Sequence, residues 1–318
     1  MNILVTGAAG FIGSHLCEYL ADKNHDVVGL DGYTGFYSRD LKKLNAAEVE
    51  KKGIKIHEFD LADPYFEKEL PNNFDYIFHL AAQPGLSKFV NFEDYTKNNL
   101  IATANLIDFA KQNTNLKCFV NVSTSSVYGQ EATSEESVAP KPASYYGVTK
   151  LAAEQLVLSQ HRQGLLNACS IRLYSVYGPR ERPEKLYTKL IDSILTNKDF
   201  PLYSGSENHS RSFTYVADAV KGLAAVIDNT ENCLGEIINV GSDIEAKTID
   251  GIKLIEELMG QKAKFNIQAA VNGDQTQTRA IIDKARKLLN YNPSTQLKDG
   301  LQKQVEWYNI LYLNHLKK

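Results

Sequence analysis

Two side chains in the middle of the chain have the types and the spacing needed to oxidise an alcohol. Tyr146 and Lys150 stand four residues apart in a run of good helix formers, 146–160, so their side chains are expected on one face of a helix. An unperturbed phenol has a pKa of about 10, and a neighbouring ammonium favours its phenolate. A hydroxyl-rich stretch, 122–129, precedes them. The spacing predicts a dehydrogenase site in which Tyr146 accepts a proton and Lys150 lowers the pKa of Tyr146.

A glycine-rich turn near the N-terminus could hold the cofactor of such a site. An apolar run at 3–6 leads into Gly-Ala-Ala-Gly-Phe-Ile-Gly at 7–13 and then into a helical pattern. Gly7 permits a tight turn, Gly10 leaves room for dinucleotide phosphates, and Gly13 allows the helix to pack closely. The next strand ends at Asp31, whose carboxylate would accept hydrogen bonds from the ribose and repel a 2′-phosphate. NAD is therefore predicted in preference to NADP.

These motifs together resemble the extended short-chain dehydrogenase/reductase family, and the resemblance covers nearly the whole chain. The glycine turn, the Tyr-x-x-x-Lys pair and Ser-Thr-Ser-Ser-Val-Tyr-Gly at 123–129 carry it. It implies that Thr124 hydrogen-bonds the substrate oxygen and relays its proton, and that Lys150 holds the nicotinamide ribose. His79 is expected to be structural, with a backbone partner. The implied cofactor contacts are Gly7, Gly10, Phe11, Ile12, Gly13, Asp31, Asp60 (to the adenine amino group), Leu61, Leu80, Ala81, Ala82, Gln83, Asn99, Tyr146 and Lys150. The candidate substrate contacts are Ser125, Ser126, Tyr174, Arg182, Arg211 (to the nucleotide-sugar pyrophosphate) and Asp274.

The alternation of apolar runs with helical or polar segments predicts an α/β fold with a doubly wound parallel (Rossmann) sheet. We expect an NAD-binding domain over 1–173, to which segments near 214–240 return, and a second, smaller substrate-binding lobe mainly over 174–318. An amphipathic C-terminal helix over 300–318 is predicted to be a packing element. The apolar runs lie at 3–6, 26–30, 55–59, 76–80, 119–123 and 168–173.

Composition and charge argue against several other classes of protein. A formal net charge of −3 gives no reason to expect nucleic acid or an anionic membrane surface as a partner. No apolar run approaches the roughly 20 residues of a membrane-spanning helix, and the first strand begins too early to leave room for a signal peptide. The four cysteines are scattered, without Cys-x-x-Cys spacing, so we expect reduced thiols and no metal site. We predict a soluble, cytoplasmic enzyme.

Oxidation of a sugar hydroxyl at this site would give a keto-sugar, and such a product can be dehydrated, decarboxylated or epimerised. The residues after Thr124 bear on which of these reactions follows. Family members that dehydrate carry Asp-Glu directly after this Thr, where the chain has Ser125 and Ser126, so dehydration is not expected. Family decarboxylases tend to have Glu at the position of Ser126. Epimerisation needs only that the ketone rotate and take hydride back on its other face, and small hydroxyls leave room for that turn. A UDP-sugar 4-epimerase is therefore favoured, with a UDP-uronate decarboxylase as an alternative.

The stretch Gly-Pro-Arg-Glu-Arg-Pro at 178–183 bears on the substrate. It resembles the Gly-Pro-Arg-x-Arg-Pro of UDP-glucuronate 4-epimerases, in which the second Arg, here Arg182, meets the uronate carboxylate. One departure is that those enzymes usually read Ala-Ala-Gln-Ala-Gly-Val-Arg, whereas this chain has Ser87 followed by Lys88 at the Arg. UDP-glucuronate or UDP-galacturonate is the predicted substrate, and a 4-epimerase of UDP-glucose or UDP-N-acetylglucosamine stays open. A non-catalytic NAD-binding sensor is the remote alternative, because sensors of this fold commonly lose the Tyr or the Lys.

The resemblance also implies a homodimer in which two helices of each subunit form a four-helix bundle. The equivalent helices are expected at 95–111 and 146–160. Apolar residues that could face the partner are Leu100, Ala104, Ile107, Val157 and Leu158.

Overall fold

The computed structural model describes residues 1–85, 90–270 and 275–316. The strands, in chain order, are β1 (Asn2–Thr6), β2 (Asp26–Asp31), β3 (Lys55–Glu58), β4 (Tyr76–His79), β5 (Cys118–Thr124), β6 (Glu131–Ala132), β7 (Ala168–Leu173), β8 (Val176–Tyr177), β9 (Asp199–Tyr203), β10 (Ser210–Arg211), β11 (Thr214–Tyr215), β12 (Ile237–Val240), β13 (Ala246–Lys247), β14 (Lys264–Gln268) and β15 (Gln277–Thr278). The helices are α1 (Phe11–Asp22), α2 (Arg39–Glu50), α3 (Phe92–Tyr95), α4 (Ala102–Lys111), α5 (Tyr145–Arg162), α6 (Leu186–Leu195), α7 (Val216–Ala224), α8 (Thr230–Cys233), α9 (Thr248–Met259), α10 (Asp283–Leu289) and α11 (Leu297–Leu311).

A parallel sheet of seven strands, in the order β12-β7-β5-β4-β1-β2-β3, forms the centre of the molecule. Its central strands β4, β5 and β7 are buried along their whole length. Helices cover both faces of such a sheet, so side chains on both faces of these strands are buried, including polar ones such as Asn121, Ser170 and Arg172. The predicted doubly wound α/β fold is confirmed, and the six expected strands lie within one or two residues of their predicted bounds.

The chain returns to this sheet after leaving it. Strand β12 pairs in parallel with β7, with Ile238 beside Ile171, so residues beyond 214 complete the sheet edge. The smaller sheets have the orders β13-β10-β15-β6, β11-β8 and β14-β9. The division of the chain at residue 173 stays a prediction.

Two apolar clusters lie on the two faces of the central sheet. One joins Val5 and Leu16 to Tyr187 and Leu301, so it runs without a break from the first strand to the last α-helix. The other contains Leu4 and its neighbours under α4 and α5. Alternate side chains of the same strand point to opposite faces and both faces are covered, so the chain has one large and one smaller apolar cluster.

The helices at 92–111 and 145–162 differ in detail from the prediction. A π-helical turn, Thr96–Ile101, joins α3 to α4. Ile107, Val157 and Leu158 are buried inside the chain, so they are not available to a partner subunit. The apolar side chains that α5 exposes are Tyr145 and Val148.

The C-terminal helix α11 starts three residues earlier than predicted and ends at Leu311, followed by a π-helical turn, Tyr312–Leu316. Leu301 and Val305 of α11 are buried in the larger cluster, and the hydroxyl of Tyr308 donates to Asp192 of α6 at 3.0 Å. Within the described ranges, no helix is both long enough and apolar enough to cross a bilayer.

Candidate functional site

The glycine turn between β1 and α1 is fixed by contacts that only glycine allows. Gly7 has φ +73°, its N–H donates to the carbonyl of Leu30 at 2.7 Å, and a Cβ on it would lie 2.9 Å from the backbone nitrogen of Ala81. A Cβ on Gly13 would overlap the carbonyl oxygen of Gly7. Gly10 is the N-cap of α1 and no side chain caps this end. The free N–H groups and the helix dipole therefore suit an anionic pyrophosphate, as NAD requires.

Asp31 lies beside this turn at the end of β2. Its Oδ2 accepts from the N–H of Ala9 at 3.1 Å and its Oδ1 accepts from the N–H of Tyr33 at 2.8 Å. Burial raises the pKa of Asp31, whereas the ammonium of Lys42 and these two N–H groups oppose that rise. Lys42, which donates to the carbonyl of Thr34 at 2.9 Å, was not predicted from the sequence as part of the site. The carboxylate is thus held in place next to the turn, where a ribose could reach it.

The loop after β4 forms the opposite side of the cofactor site. His79 is buried between two hydroxyls, since its Nδ1 lies 2.9 Å from Thr6 Oγ1 and its Nε2 lies 2.9 Å from Thr103 Oγ1. Burial, with the charge of Lys150, lowers the pKa of His79 to about 3, so the imidazole is neutral at pH 7. Its expected backbone partner is wrong: both partners are side-chain hydroxyls. The N–H of Ala81 donates to the same Thr6 hydroxyl at 3.2 Å, which fixes the start of the loop.

The side chain of Asn99 forms hydrogen bonds with both this loop and α5. Its Oδ1 accepts from the N–H of Gln83 at 2.7 Å, and its Nδ2 donates to the Gln83 carbonyl at 3.3 Å and to Thr149 Oγ1 at 3.0 Å. The side chain is buried, in the π-helical turn, so it holds the cofactor loop against the residue before Lys150. Such turns often occur at functional sites because they redirect single side chains.

The other cofactor candidates differ in exposure. The side chain of Asp60 is 41% exposed and pairs with Lys97 at 3.0 Å, so it can reach a ligand. Leu61 and Phe11 are buried in the two apolar clusters, and this leaves mainly their backbone for a cofactor. Ile12, Leu80 and Ala81 are partly buried hydrophobics on those clusters, and Ala82 lies beside Ala81 in the loop.

Tyr146 and Thr124 meet where α5 faces the end of β5. The two side chains share a hydrogen bond. Burial raises the pKa of Tyr146, while the Thr124 hydrogen bond and the charge of Arg182 oppose that rise. The expected lowering of this pKa by Lys150 is not found, because Lys150 is not among the groups that shift it. Instead, the guanidinium of Arg182, 36 positions further along the chain, opposes the rise in this pKa. No local spacing could reveal this contribution.

Lys150 is buried and sits one helical turn from Glu154. Burial lowers the pKa of Lys150 to about 8, and the negative charge of Glu154 opposes the shift. Glu154 makes two hydrogen bonds with Arg172 of β7, at 2.9 Å to Nε and 2.6 Å to Nη2. The guanidinium carbon lies 4.8 Å from the centre of the Tyr128 ring. This buried pair was not predicted from the sequence, although a charged residue inside a buried strand is a signal for one.

The substrate candidates are only partly brought together. Ser125 and Ser126 begin a 3-10 turn immediately after Thr124, which shares a hydrogen bond with the Tyr146 hydroxyl. The side chain of Tyr174 is 0% exposed and belongs to the larger apolar cluster, so the structure places its ring in the core and not on the pocket wall. Asp274 lies outside the described residues, as do Ser87 and Lys88.

Arg182 lies within electrostatic range of Tyr146, as described above, and Arg211 lies within range of Lys185. Arg182 packs its guanidinium over the ring of Phe36, 5.5 Å from the centre, and its side chain is 12% exposed. Lys185 and Glu181 also belong to this region and were missed, because a charge run on a loop does not reveal which side chains turn inward.

The comparisons with known proteins agree with this geometry. Residues 3–241 match the profile of the NAD dependent epimerase/dehydratase family. The chain is 39% identical to the uncharacterized UDP-glucose epimerase YtcB of Bacillus subtilis (strain 168), over 98% of this chain and 99% of that protein. It is 34% identical to UDP-glucuronate 4-epimerase 4 of Arabidopsis thaliana, over 98% of this chain and 76% of that protein.

Solved structures show the same relationship. UDP-glucuronic acid 4-epimerase from Bacillus cereus, in complex with UDP-glucuronic acid and NAD, superposes with a TM-score of 0.92 at 36% identity over 98% of this chain and 100% of that one. UDP-glucose 4-epimerase from Thermotoga maritima, with UDP-glucose, gives a TM-score of 0.87 at 25% identity over 98% and 99%. The expected resemblance to the extended short-chain dehydrogenases/reductases is confirmed, and the chain belongs to the NAD-dependent epimerase/dehydratase family.

Proposed function

We propose that the protein is an NAD-dependent 4-epimerase that interconverts UDP-glucuronate and UDP-galacturonate. The observation that carries this proposal is the position of Arg182, whose guanidinium lies beside Gly85 of the cofactor loop and whose charge opposes the rise in the pKa of Tyr146. A guanidinium is a planar fork that binds carboxylates through two parallel hydrogen bonds. A sugar whose C4 hydroxyl meets Tyr146 would have its C5 carboxylate close by. The Bacillus cereus and Arabidopsis thaliana enzymes, which share the fold or the sequence, are named for this sugar.

In this mechanism Tyr146 takes the proton from the C4 hydroxyl of the sugar and later returns it. NAD, held by the glycine turn and Asp31, would supply a reversible acceptor for the C4 hydride. Thr124 orients the same oxygen through the hydrogen bond that it shares with the Tyr146 hydroxyl. Lys150, one helical turn after Tyr146, would hold the nicotinamide ribose of bound NAD and supply a positive charge there. Its pKa of about 8 keeps most of it protonated at pH 7.

The residues after Thr124 favour a turning ketone over elimination. Ser125 and Ser126 supply hydroxyls where a dehydratase would need a carboxylic acid pair. Decarboxylation requires that the C5–carboxylate bond stand perpendicular to the plane of the C4 ketone, so that it overlaps the carbonyl π system. A guanidinium that holds the carboxylate near that plane prevents the loss of carbon dioxide. We assign this role to Arg182, which is packed against Phe36 and is therefore restricted in orientation.

The test is to incubate the NAD-loaded protein with UDP-glucuronate and to separate the products. UDP-galacturonate without carbon dioxide supports the proposal, release of carbon dioxide identifies a decarboxylase, and no conversion refutes both. Arg182→Ala should lower kcat/KM for UDP-glucuronate by about 30-fold or more, since a charged hydrogen bond contributes about 2 kcal/mol. Arg162→Ala, which removes an exposed arginine at the far end of α5, is the matched control.

A 4-epimerase of UDP-glucose is the second candidate, because YtcB of Bacillus subtilis (strain 168) is named a UDP-glucose epimerase and is 39% identical to this chain. The two candidates predict different behaviour of Arg182→Ala. If Arg182 binds the carboxylate of the substrate, Arg182→Ala loses activity on UDP-glucuronate and not on UDP-glucose. Equal losses of activity on both sugars would instead favour the neutral hexose as the substrate.

We also propose a cytoplasmic homodimer. Phe92 and Tyr145 pack their rings 5.1 Å apart and, with Val148 and Ile101, expose apolar surface at the helices that the family pairs. The four cysteines are buried free thiols, which supports a reducing compartment. Light scattering should give twice the chain mass of 35.5 kDa. Val148→Asp should halve the mass, whereas Ile267→Asp, at an exposed apolar residue of β14, should leave it unchanged. A wild-type mass near 35.5 kDa would refute the dimer.

A further inference from the structure

We propose that Lys185 is a second cation of the sugar site, which binds the substrate's carboxylate together with Arg182 and so determines selectivity for an acidic sugar. This inference rests on the proposed function and adds to it a residue for which neither the motifs nor the spacing gave a role. Lys185 precedes α6 and lies three residues after Arg182.

The two cations converge on one point of the cofactor loop. A Cβ built on Gly85 would lie 3.2 Å from Nη2 of Arg182 and 3.6 Å from Nζ of Lys185. Gly85 has φ +72° and its carbonyl accepts from the hydroxyl of Tyr95 at 2.7 Å, so its position is fixed. The Tyr95 ring lies 6.3 Å from the Tyr146 ring. The point at which both cations meet is therefore close to the proposed proton acceptor.

Both cations keep donors for a ligand. Nη1 of Arg182 is buried and, although Glu184 Oε1 is 2.9 Å away, it makes no hydrogen bond of acceptable geometry. For the ammonium of Lys185, the described part of the chain contains no hydrogen bond or ion pair, and the nearby charges act at longer range. Two like charges at close range repel each other unless an anion lies between them. A carboxylate has two oxygens with about four acceptor positions, enough for the arginine fork and an ammonium.

The charged groups around Lys185 leave a site that can accept an anion. Burial and the charge of Arg182 lower the pKa of Lys185 to about 8, while Glu181 and Glu184 oppose the shift. Burial raises the pKa of Glu181 to about 7, and this group is already occupied by Gln304 at 2.7 Å and Thr188 at 3.2 Å. Glu184 is 42% exposed at the rim. Glu181 therefore provides a competing explanation, in which Lys185 serves as its counter-ion, and the experiment must separate the two.

The experiment measures binding and turnover in parallel on the NAD-loaded protein. Dissociation constants for UDP-glucuronate, UDP-glucose and UDP are obtained by titration calorimetry for the wild type, Lys185→Met and Lys185→Arg. Lys198→Met, an exposed lysine after α6, is the control. We expect Lys185→Met to weaken UDP-glucuronate binding about 10- to 100-fold, as for a lost charged hydrogen bond, with UDP-glucose and UDP within about twofold. Lys185→Arg should restore most of the affinity, and kcat at saturation should change little.

Two results for Lys185→Met overturn the inference. An equal loss for UDP would mean that Lys185 contacts the pyrophosphate. Unchanged affinity for all three ligands, with or without a lower melting temperature, would mean that it serves Glu181. Because binding is measured directly, a wild type that binds UDP-glucuronate without converting it would refute the proposed function and leave the Lys185 comparison readable. A wild type that does not bind UDP-glucuronate refutes both.

Discussion

Replacing Glu154 by Gln should cost far more stability than any exposed ion pair of this protein. Glu154 and Arg172 have side chains that are 0% and 1% exposed, and two charged hydrogen bonds join them. Gln can still accept a hydrogen bond, but it leaves the guanidinium buried without a counter-charge. Removing one partner of such a pair typically costs about 3 to 5 kcal/mol. We expect a loss of that size in the free energy of unfolding, measured by urea denaturation.

The control uses an ion pair of similar length on the surface. Lys51 and Glu48 are 2.6 Å apart with side chains 68% and 48% exposed, so Glu48→Gln should cost less than about 1 kcal/mol. The double variant Glu154→Met with Arg172→Met should recover most of the stability, since it removes both charges. If Glu154→Gln costs no more than Glu48→Gln, the pair is not the buried support that the distances indicate.

The same substitution should also change the pH dependence of turnover. Glu154 opposes the burial that lowers the pKa of Lys150 to about 8. Without the negative charge, the pKa of Lys150 falls further, so the ammonium loses its proton at a lower pH. Activity should therefore begin to fall at lower pH on the alkaline side than in the wild type. An unchanged alkaline limb would show that the charge of Lys150 does not matter for turnover.

Three further predictions follow from the site. Tyr146→Phe should keep NAD affinity within about twofold and lower kcat about 10²- to 10⁴-fold, because the variant has lost its general base. A variant with more than half of the wild-type rate would contradict the assignment of Tyr146 as that base. Asp31→Ala should reduce the preference for NAD over NADP in fluorescence titrations, because it removes the anion next to the 2′ position, and a wild type that binds both equally would count against Asp31. Thr124→Val should move the acid limb of the kcat profile to higher pH, because Thr124 lowers the pKa of Tyr146 and the base works only when deprotonated; an acid limb that stays in place would refute this.

The sequence predicts most of what depends on local pattern. The strands β1, β2, β4, β5 and β7 are recognisable because a buried parallel strand is a short apolar run with turn residues at its end. The glycine turn and the end of β2 could likewise be placed, since each of their contacts involves neighbours in the chain or in the sheet. Tyr146 and Lys150 share a helix, as their spacing indicates.

What the sequence could not show depends on contacts between distant segments. The effect of Arg182 on Tyr146 and the pairing of Arg172 with Glu154 join residues that lie on different elements. Val157 and Leu158 were expected to face a partner, but helical periodicity does not tell which of two apolar faces the chain covers itself. Tyr174 was assigned to the substrate from its place in a motif, and its ring is in the core.

The late return of β12 has a consequence for synthesis of the protein. When β7 leaves the ribosome, its outer edge has no neighbour, and 63 residues lie between the end of β7 at 173 and the start of β12 at 237. At roughly 5 to 20 residues per second, this edge waits for about 3 to 13 s. During that time the backbone groups opposite Asn239, including those of Arg172, are exposed to pairing with other chains. Aggregation of nascent chains should therefore depend on the speed of translation between residues 174 and 240.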